Sequence, residues 1–411
     1  MSRTPGPLLD GVRPLPDGLG LRVATPDDLD QIGDLLVRRG EPDDALDHWL
    51  VVEDPDEGYR SCAVVVDGDR VVSTATLLDE SVRLDDVVLP AGQVELVATD
   101  AEYEGRGLVR ALMGWAHAES ARRGHLLGVM VGIPYFYRLF GYEYAMRQPF
   151  ARRLTAPPGG GAGDAFRRAT AADIPALIAL QDDAQRLSDC AVPHPPARWR
   201  WLLAHDASRT WVVERAGRVV ASARTQADGG LLAEAAAVDA VAAADLVRGV
   251  AGLNPNGRVG LVERPGTVVH ELCEPLMEPA PNAAEQYYVR IPDVVAVLEA
   301  LRPVLSRRLA ASGLDRAGKE VLLSTFRSHF RLPVAADGLG LVAAGGVCAS
   351  PGDLGGAAVA PDWLPALLFG PAGMAGLTRL RPDVYPGPDA ELYTALFPPV
   401  TADVLTYYLP Y

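Results

Sequence analysis

The stretch ELVATDAEYEGRGLVRALM, residues 95–113, decides how this chain is read. Residues 93–99 form an apolar, β-branched run that reads as a strand, and residues 108–123 carry the apolar spacing of an amphipathic helix. Gly105-Arg106-Gly107 lies between them. Glycines let the backbone turn tightly and approach a ligand with no Cβ in the way. Unpaired N–H groups at a helix start, reinforced by the helix dipole, suit a pyrophosphate, and Arg106 and Arg110 add positive charge nearby. The GxGxxG and GxxxxGK spacings are absent, which disfavours NAD, ATP and GTP.

Working outward, residues 21–24 read as a strand, followed by a helix start at Thr25-Pro26-Asp27-Asp28 with an N-cap, Pro at N1 and an acid at N3. The spacing predicts a helix over 29–38 with Ile32, Leu35 and Leu36 on one side. Residues 62–66 and 70–78 flank Asp67-Gly68-Asp69 as a hairpin. Downstream come an apolar strand at 126–131, a short helix at 134–140 and a strand at 142–150. The order β-α-β-β-β-α-β-α-β closes one α/β unit near residue 150. The aromatic segment Tyr135-Phe136-Tyr137-Arg138-Leu139-Phe140 lies inside it. A tyrosine phenol beside a leaving thiolate is a workable general acid, their ordinary pKa values being about 10 and about 8.5. For Tyr135 and Phe136 plain packing is the better reading.

The linker APPGGGAGD at 156–164 marks a boundary. After it, Arg168-Ala169-Thr170-Ala171-Ala172-Asp173 echoes the segment beginning Arg22-Val23-Ala24-Thr25, and WVVERAGRVVA at 211–221 echoes the first hairpin. The order of elements points to an internal duplication. This second unit has no glycine-rich loop: Asp239 leads straight into a helix, so a scaffold role is expected for it. From Tyr287 the pattern changes to a strand, a long helix and short glycine-separated strands, an α+β unit.

The chain has 411 residues, 49% apolar and 22% charged, enough for several folded cores and unlike a disordered chain. Its net charge of -15 argues against binding a phosphate backbone. Residues 1–60 hold 14 Asp/Glu against 6 Lys/Arg, a concentration that solubilises a surface or attracts cationic substrates. Cys62, Cys190, Cys273 and Cys348 form no CxxC, and the seven histidines form no HExxH, so neither a metal site nor a disulfide framework is expected. No segment has the apolar length of a signal peptide or membrane span, which gives the expectation of a soluble, cytoplasmic protein with no nucleic-acid or membrane partner.

ELVATDAEYEGRGLVRALM followed by YFYRLFGYEYA resembles the GNAT N-acetyltransferases, and residues 21–411 resemble their Eis-type (enhanced intracellular survival) members. That resemblance implies mixed α/β and α+β sheets: an extension at 1–20, a catalytic GNAT domain at 21–150, a degenerate GNAT-like domain at 151–286, and a sterol-carrier-protein-2-like domain at 287–411. It implies acetyl-CoA as cosubstrate, bound by the backbone of Leu96, Val97 and Ala98, by the loop Glu104-Gly105-Arg106-Gly107-Leu108-Val109, and by Gly132 and Ile133. Tyr137 matches the tyrosine that protonates the departing thiolate. The C-terminal carboxylate of Tyr411 matches the base that takes the acceptor's proton. Glu102 and Glu104 depart from the family's usual Arg or Gln. The implied acceptor is a primary amine, on a cationic small molecule or a lysine, and the implied assembly is a homo-oligomer, typically a hexamer. A catalytically weak GNAT scaffold or acyl-CoA sensor is the alternative reading, and a lipid-carrying role for the last unit is a third.

Overall fold

The computed structural model describes residues 11–226, 229–254, 256–280, 286–348 and 350–404. Three sheets carry the architecture. In the first, Gly20–Val23, Cys62–Asp67, Arg70–Leu84 and Val87–Thr99 pair antiparallel in sequence order, and Leu127–Met130 joins Val87–Thr99 in parallel. The helix Leu108–Arg122 crosses between those two parallel strands and buries Leu112, Met113 and Ala116 on one face of the sheet. Each large apolar side chain removed from water this way contributes about 2 kcal/mol. The opposite face is covered by Leu29–Arg39 and Asp44–Val52.

The second sheet, with Ala165–Arg168, Arg209–Arg215, Arg218–Thr225, Leu231–Ala237 and Gly260–Val262, repeats this design, the last two strands again parallel. The repetition reaches side chains. Thr25 and Asp28 form a capping box that Arg22 closes at 2.6 Å, and Thr170 and Asp173 form the same box closed by Arg167 at 2.8 Å. The counterpart of Arg22 is therefore Arg167, one residue before the register read from sequence, because the Thr-to-Arg spacing is what lets the guanidinium reach the cap.

Two boundaries differ from expectation. Arg13–Pro14 pairs with Gly20–Leu21, so the described part of the 1–20 extension adds a two-residue edge strand, followed by a single helical turn at Pro16–Gly18. The strand Gln286–Arg290, expected to open the third unit, sits in the first sheet between Leu127–Met130 and Glu143–Arg147, antiparallel to both. Its Tyr287, Tyr288 and Val289 are almost fully buried there, and that burial selects this partner sheet. The remaining C-terminal elements form a third sheet covered by Val294–Ser312 and shorter helices. Their core is continuous with the first sheet through Val82, Leu89, Leu127 and Met146. Near the described end, Ala402–Asp403 pairs with Cys190–Ala191, which pairs with the end of Arg70–Leu84, while Arg264 holds Asp403 at 3.1 Å. The chain thus returns to the junction of the first two units.

Candidate active site

The strand Val87–Thr99 is not regular. Thr76 faces Glu95 and Thr74 faces Ala98, so one extra residue is accommodated, and Leu96 takes φ +51°. This β-bulge turns both Glu95 and Leu96 toward the face covered by the Leu29–Arg39 and Asp44–Val52 helices. Pairing with Leu127–Met130 stops at Gln93 and Val129, so the two parallel strands separate beyond that point. A V-shaped cleft opens at their carboxyl ends. Val97, Val109, Leu108, Met130, Tyr137 and Phe140 share one core beside it, so the candidates from strand, loop and aromatic segment are brought together.

The loop supplies the cleft's phosphate-sized end. Gly105 and Gly107 have φ +75° and +79°, a region costly for side chains with a Cβ, and a Cβ at either would face open space. Gly107 precedes Leu108–Arg122 with no side-chain cap, so the first N–H groups of that helix are free for an anion. Glu102 and Glu104 do not crowd this end: Glu104 pairs with Arg39, and Glu102 lies 3.6 Å from Arg70. Arg106 stacks over Tyr103 at 4.7 Å, and Tyr103 donates to Asp67 at 2.6 Å. A cavity of about 320 Å³ beside Gly107 is lined by Arg13, Asp17, Arg106 and Arg110. These residues fit acetyl-CoA: an uncapped helix start for its pyrophosphate, an opened strand edge for its pantetheine arm.

Gly132 and Ile133 follow the second arm of the cleft. A Cβ on Gly132 would lie 2.3 Å from the Tyr137 ring, so glycine is what lets that ring rest on the strand end. Tyr137 is buried among Phe136, Phe140, Tyr142 and Tyr288. Burial, assisted by the charge of Glu95, pushes its phenol up to about 12, so it holds its proton through neutrality. The turn before it is strained, with Tyr135 at φ +70°. Its N–H is held by the Tyr288 hydroxyl at 2.8 Å and the Tyr144 hydroxyl at 3.1 Å. Tyr411 lies outside the described residues.

Glu95 was not singled out from sequence. It keeps some access to the cleft, but burial pushes its carboxyl up to about 7; the Gln93 amide and Arg198 oppose this, and Glu80 and Asp44 add to it. Gln93 donates to Glu95 and accepts from the Tyr287 hydroxyl at 2.5 Å. The intruding strand Gln286–Arg290 therefore orients both ends of the cleft, Glu95 through Tyr287 and the Tyr137 turn through Tyr288. On the facing helix, burial and the charges of Asp44, Asp43 and Glu95 push Asp47 up to about 8, and its Oδ1 has no hydrogen-bond partner. A carboxyl poised at neutrality beside a strongly acidic wall is equipped to accept a proton from a cation.

The model of an acetyltransferase (GNAT) domain matches residues 21–145. Several solved structures share the fold of the whole chain. A GCN5-related N-acetyltransferase from Kribbella flavida aligns at TM-score 0.66 and 21% identity, covering 95% of this chain and 98% of that one. One from Anabaena variabilis aligns at 0.67 and 15%, covering 92% and 96%. Eis1 from Mycobacterium abscessus aligns at 0.63 and 16%, covering 94% and 99%. No curated protein sequence matches the chain. Among the described residues no helix is long and apolar enough to cross a membrane. Residues 21–145 are thus an acetyltransferase domain of the GNAT superfamily, and acetyl-CoA is the cosubstrate of the enzyme.

Proposed function

We propose that this enzyme transfers the acetyl group to a primary amine of a cationic small molecule or lysine side chain. The observation that carries this is the wall facing the cleft, where Asp44, Asp47 and Glu95 concentrate carboxyls. Such a wall attracts an ammonium, and a carboxylate on it is placed to take the ammonium's proton. Bound along the opened strands, acetyl-CoA supplies the acetyl thioester. The backbone of Leu96, Val97 and Ala98 lines its arm, and the loop from Glu104 through Val109 takes its pyrophosphate. Gly132 and Ile133 border the thioester. Tyr137 delivers its proton to the sulfur as the acyl group leaves.

For the acceptor's proton, Glu95 is the base this reading assigns among the described residues, directly or through water. The C-terminal carboxylate of Tyr411 is the second reading, supported by the return of Ala402–Asp403 to the junction beside the first sheet. Glu95→Gln and an extension beyond Tyr411 separate the two: the true base is the one whose change abolishes transfer while acetyl-CoA still binds. The broader architecture proposed is tandem GNAT-like units with a sterol-carrier-protein-2-like unit, in a cytoplasmic homo-oligomer, a hexamer as the resemblance implies. Acetyl-CoA-dependent thiol release across polyamines, aminoglycosides and lysine peptides tests the acceptor class. Release with neutral amines only would remove it.

A further inference from the structure

The helix Pro196–Ala204 belongs to the second unit but packs on the first, against Asp44–Val52 and Leu78. It carries Arg198, which is 1% exposed. Its Nε donates to Glu80 Oε1 at 3.1 Å, and its Nη2 lies 3.5 Å from Glu57 Oε1. Glu80 lies on Arg70–Leu84 opposite Ala91, while Glu95 lies opposite Thr76. Directly opposed residues of an antiparallel pair share a face, and Thr76 and Glu80 are an even number of residues apart, so Glu80 and Glu95 stand on the same face of the sheet. Glu57 accepts from Ser61 at 2.8 Å, whereas Glu80 Oε2 has no hydrogen-bond partner.

The groups acting on Glu95 come from every neighbouring element: Gln93 on its own strand, Glu80 alongside, Asp44 and Asp47 on the facing helix, Tyr137 and Tyr287 at the cleft, and Arg198 from the second unit. Arg198 is the cation in this set. His194, in the loop just before the helix Pro196–Ala204, pairs with Glu234 at 3.1 Å and also acts on Glu80, while Arg224 holds Glu234 at 2.8 Å.

We propose that Arg198 is a positioning residue for acetyl transfer: it holds Glu80 and Glu57 on the face of the sheet that carries Glu95, so that the second unit completes the active site of the first. This rests on Glu95 being the base. Desolvated carboxylates on one face raise one another's affinity for protons, and a fixed guanidinium among them opposes that. Burial of the guanidinium makes its influence less screened than that of a surface arginine.

The test is the pH dependence of kcat/KM with one acceptor amine, whose own ionisation is common to every variant. Deprotonated Glu95 is the active form, so activity falls as pH drops through its midpoint. Arg198→Met is expected to move that acid limb to higher pH by at least about 0.5, and to lower activity at pH 6.5 by about threefold. Arg198→Lys recovers part of the shift. Glu80→Gln removes a like charge and is expected to move the limb to lower pH. Opposite shifts are what a merely structural role would not produce. Shifts of the same sign, or an unmoved limb in either folded variant, overturn the proposal. If Arg198→Met does not fold, by thermal unfolding, Glu80→Gln decides alone. Loss of the limb in Glu95→Gln with an unmoved limb in Arg198→Met defeats this inference only. A limb that survives Glu95→Gln defeats the base assignment as well.

Discussion

The first two units share a plan and diverge at one point. Each has the Arg–Thr–Asp capping box, a parallel strand pair joined by a helix, and a bulge that puts a non-glycine residue at positive φ, Leu96 at +51° and Glu234 at +54°. The helix that follows differs. In the first unit it begins at Gly107 with nothing capping it. In the second, Asp239 accepts from Ala242 N at 2.8 Å, and Arg215 binds Asp239 at 2.7 Å and Asp164 at 2.6 Å. A carboxylate from the chain occupies the place where the first unit leaves room for an anion. The bulge residue also differs: burial pushes the Glu234 carboxyl up, but Arg224 and His194 hold it and together depress it. Where the first unit leaves its helix start open and its bulge residue without an ion pair, the second fills the one and locks the other.

Transplanting the seal is the strongest way to break this comparison. Gly107→Asp places a carboxylate at the first unit's helix start, and Asp tolerates the left-handed conformation better than most residues. Acetyl-CoA affinity should fall at least about a hundredfold, about 3 kcal/mol, by calorimetric titration. Unchanged affinity would mean that the helix start is not where the pyrophosphate sits. Tyr137→Phe comes next. Transfer should drop by at least about tenfold while acetyl-CoA binding holds, because only the proton donor is lost. Equal turnover would remove Tyr137 from that role.

The reciprocal change is smaller. Asp239→Ala opens the second helix start and leaves Arg215 with Asp164, yet no glycine loop approaches there. The cavity of about 280 Å³ between its parallel strand ends is lined by Leu180, Ala184, Leu187 and Val268. The expected outcome is a loss of about 1 kcal/mol in stability, from the lost cap, with acetyl-CoA stoichiometry unchanged. A second equivalent bound would show that Asp239 alone silences the unit.

What was legible in sequence is local. Gly105 and Gly107, the Thr25-to-Asp28 box and the Asp239 start declare themselves within a few residues, since turns and caps are short-range physics. Glu95 was hidden because an acid in an alternating strand reads as a solvent-facing residue, and the bulge that turns it inward depends on its pairing with Thr74 and Thr76. The helices that bear Asp47 and Arg198 are short, nine residues each, and their value lies in what they face across the unit boundary. Tyr287 and Tyr288 look like the start of a new unit, because nothing near them encodes their pairing with strands more than a hundred residues earlier.

The smallest expected difference is between the two capping boxes, and it sharpens the comparison where the units agree. Asp28 and Asp173 both have depressed carboxyl pKa values. Burial opposes the effect in both, but it is outweighed for Asp28 by Arg22 and Thr25 together, and for Asp173 by Arg167 first and Thr170 next, which bring it to about 2. A carboxyl with a lowered folded pKa stabilises the protein above its unfolded value near 4. That contribution is lost as pH falls through the folded value. Asp28→Asn and Asp173→Asn should each cost about 1–2 kcal/mol at pH 7, the scale of a lost cap with its ion pair. The two losses should agree within about 0.5 kcal/mol and add in the double variant, because the boxes lie in separate units. Both should shrink as pH falls below that unfolded value, because the native carboxyls then take up protons in turn. A loss confined to one variant would mean that the shared box does different work in the open unit and the sealed one.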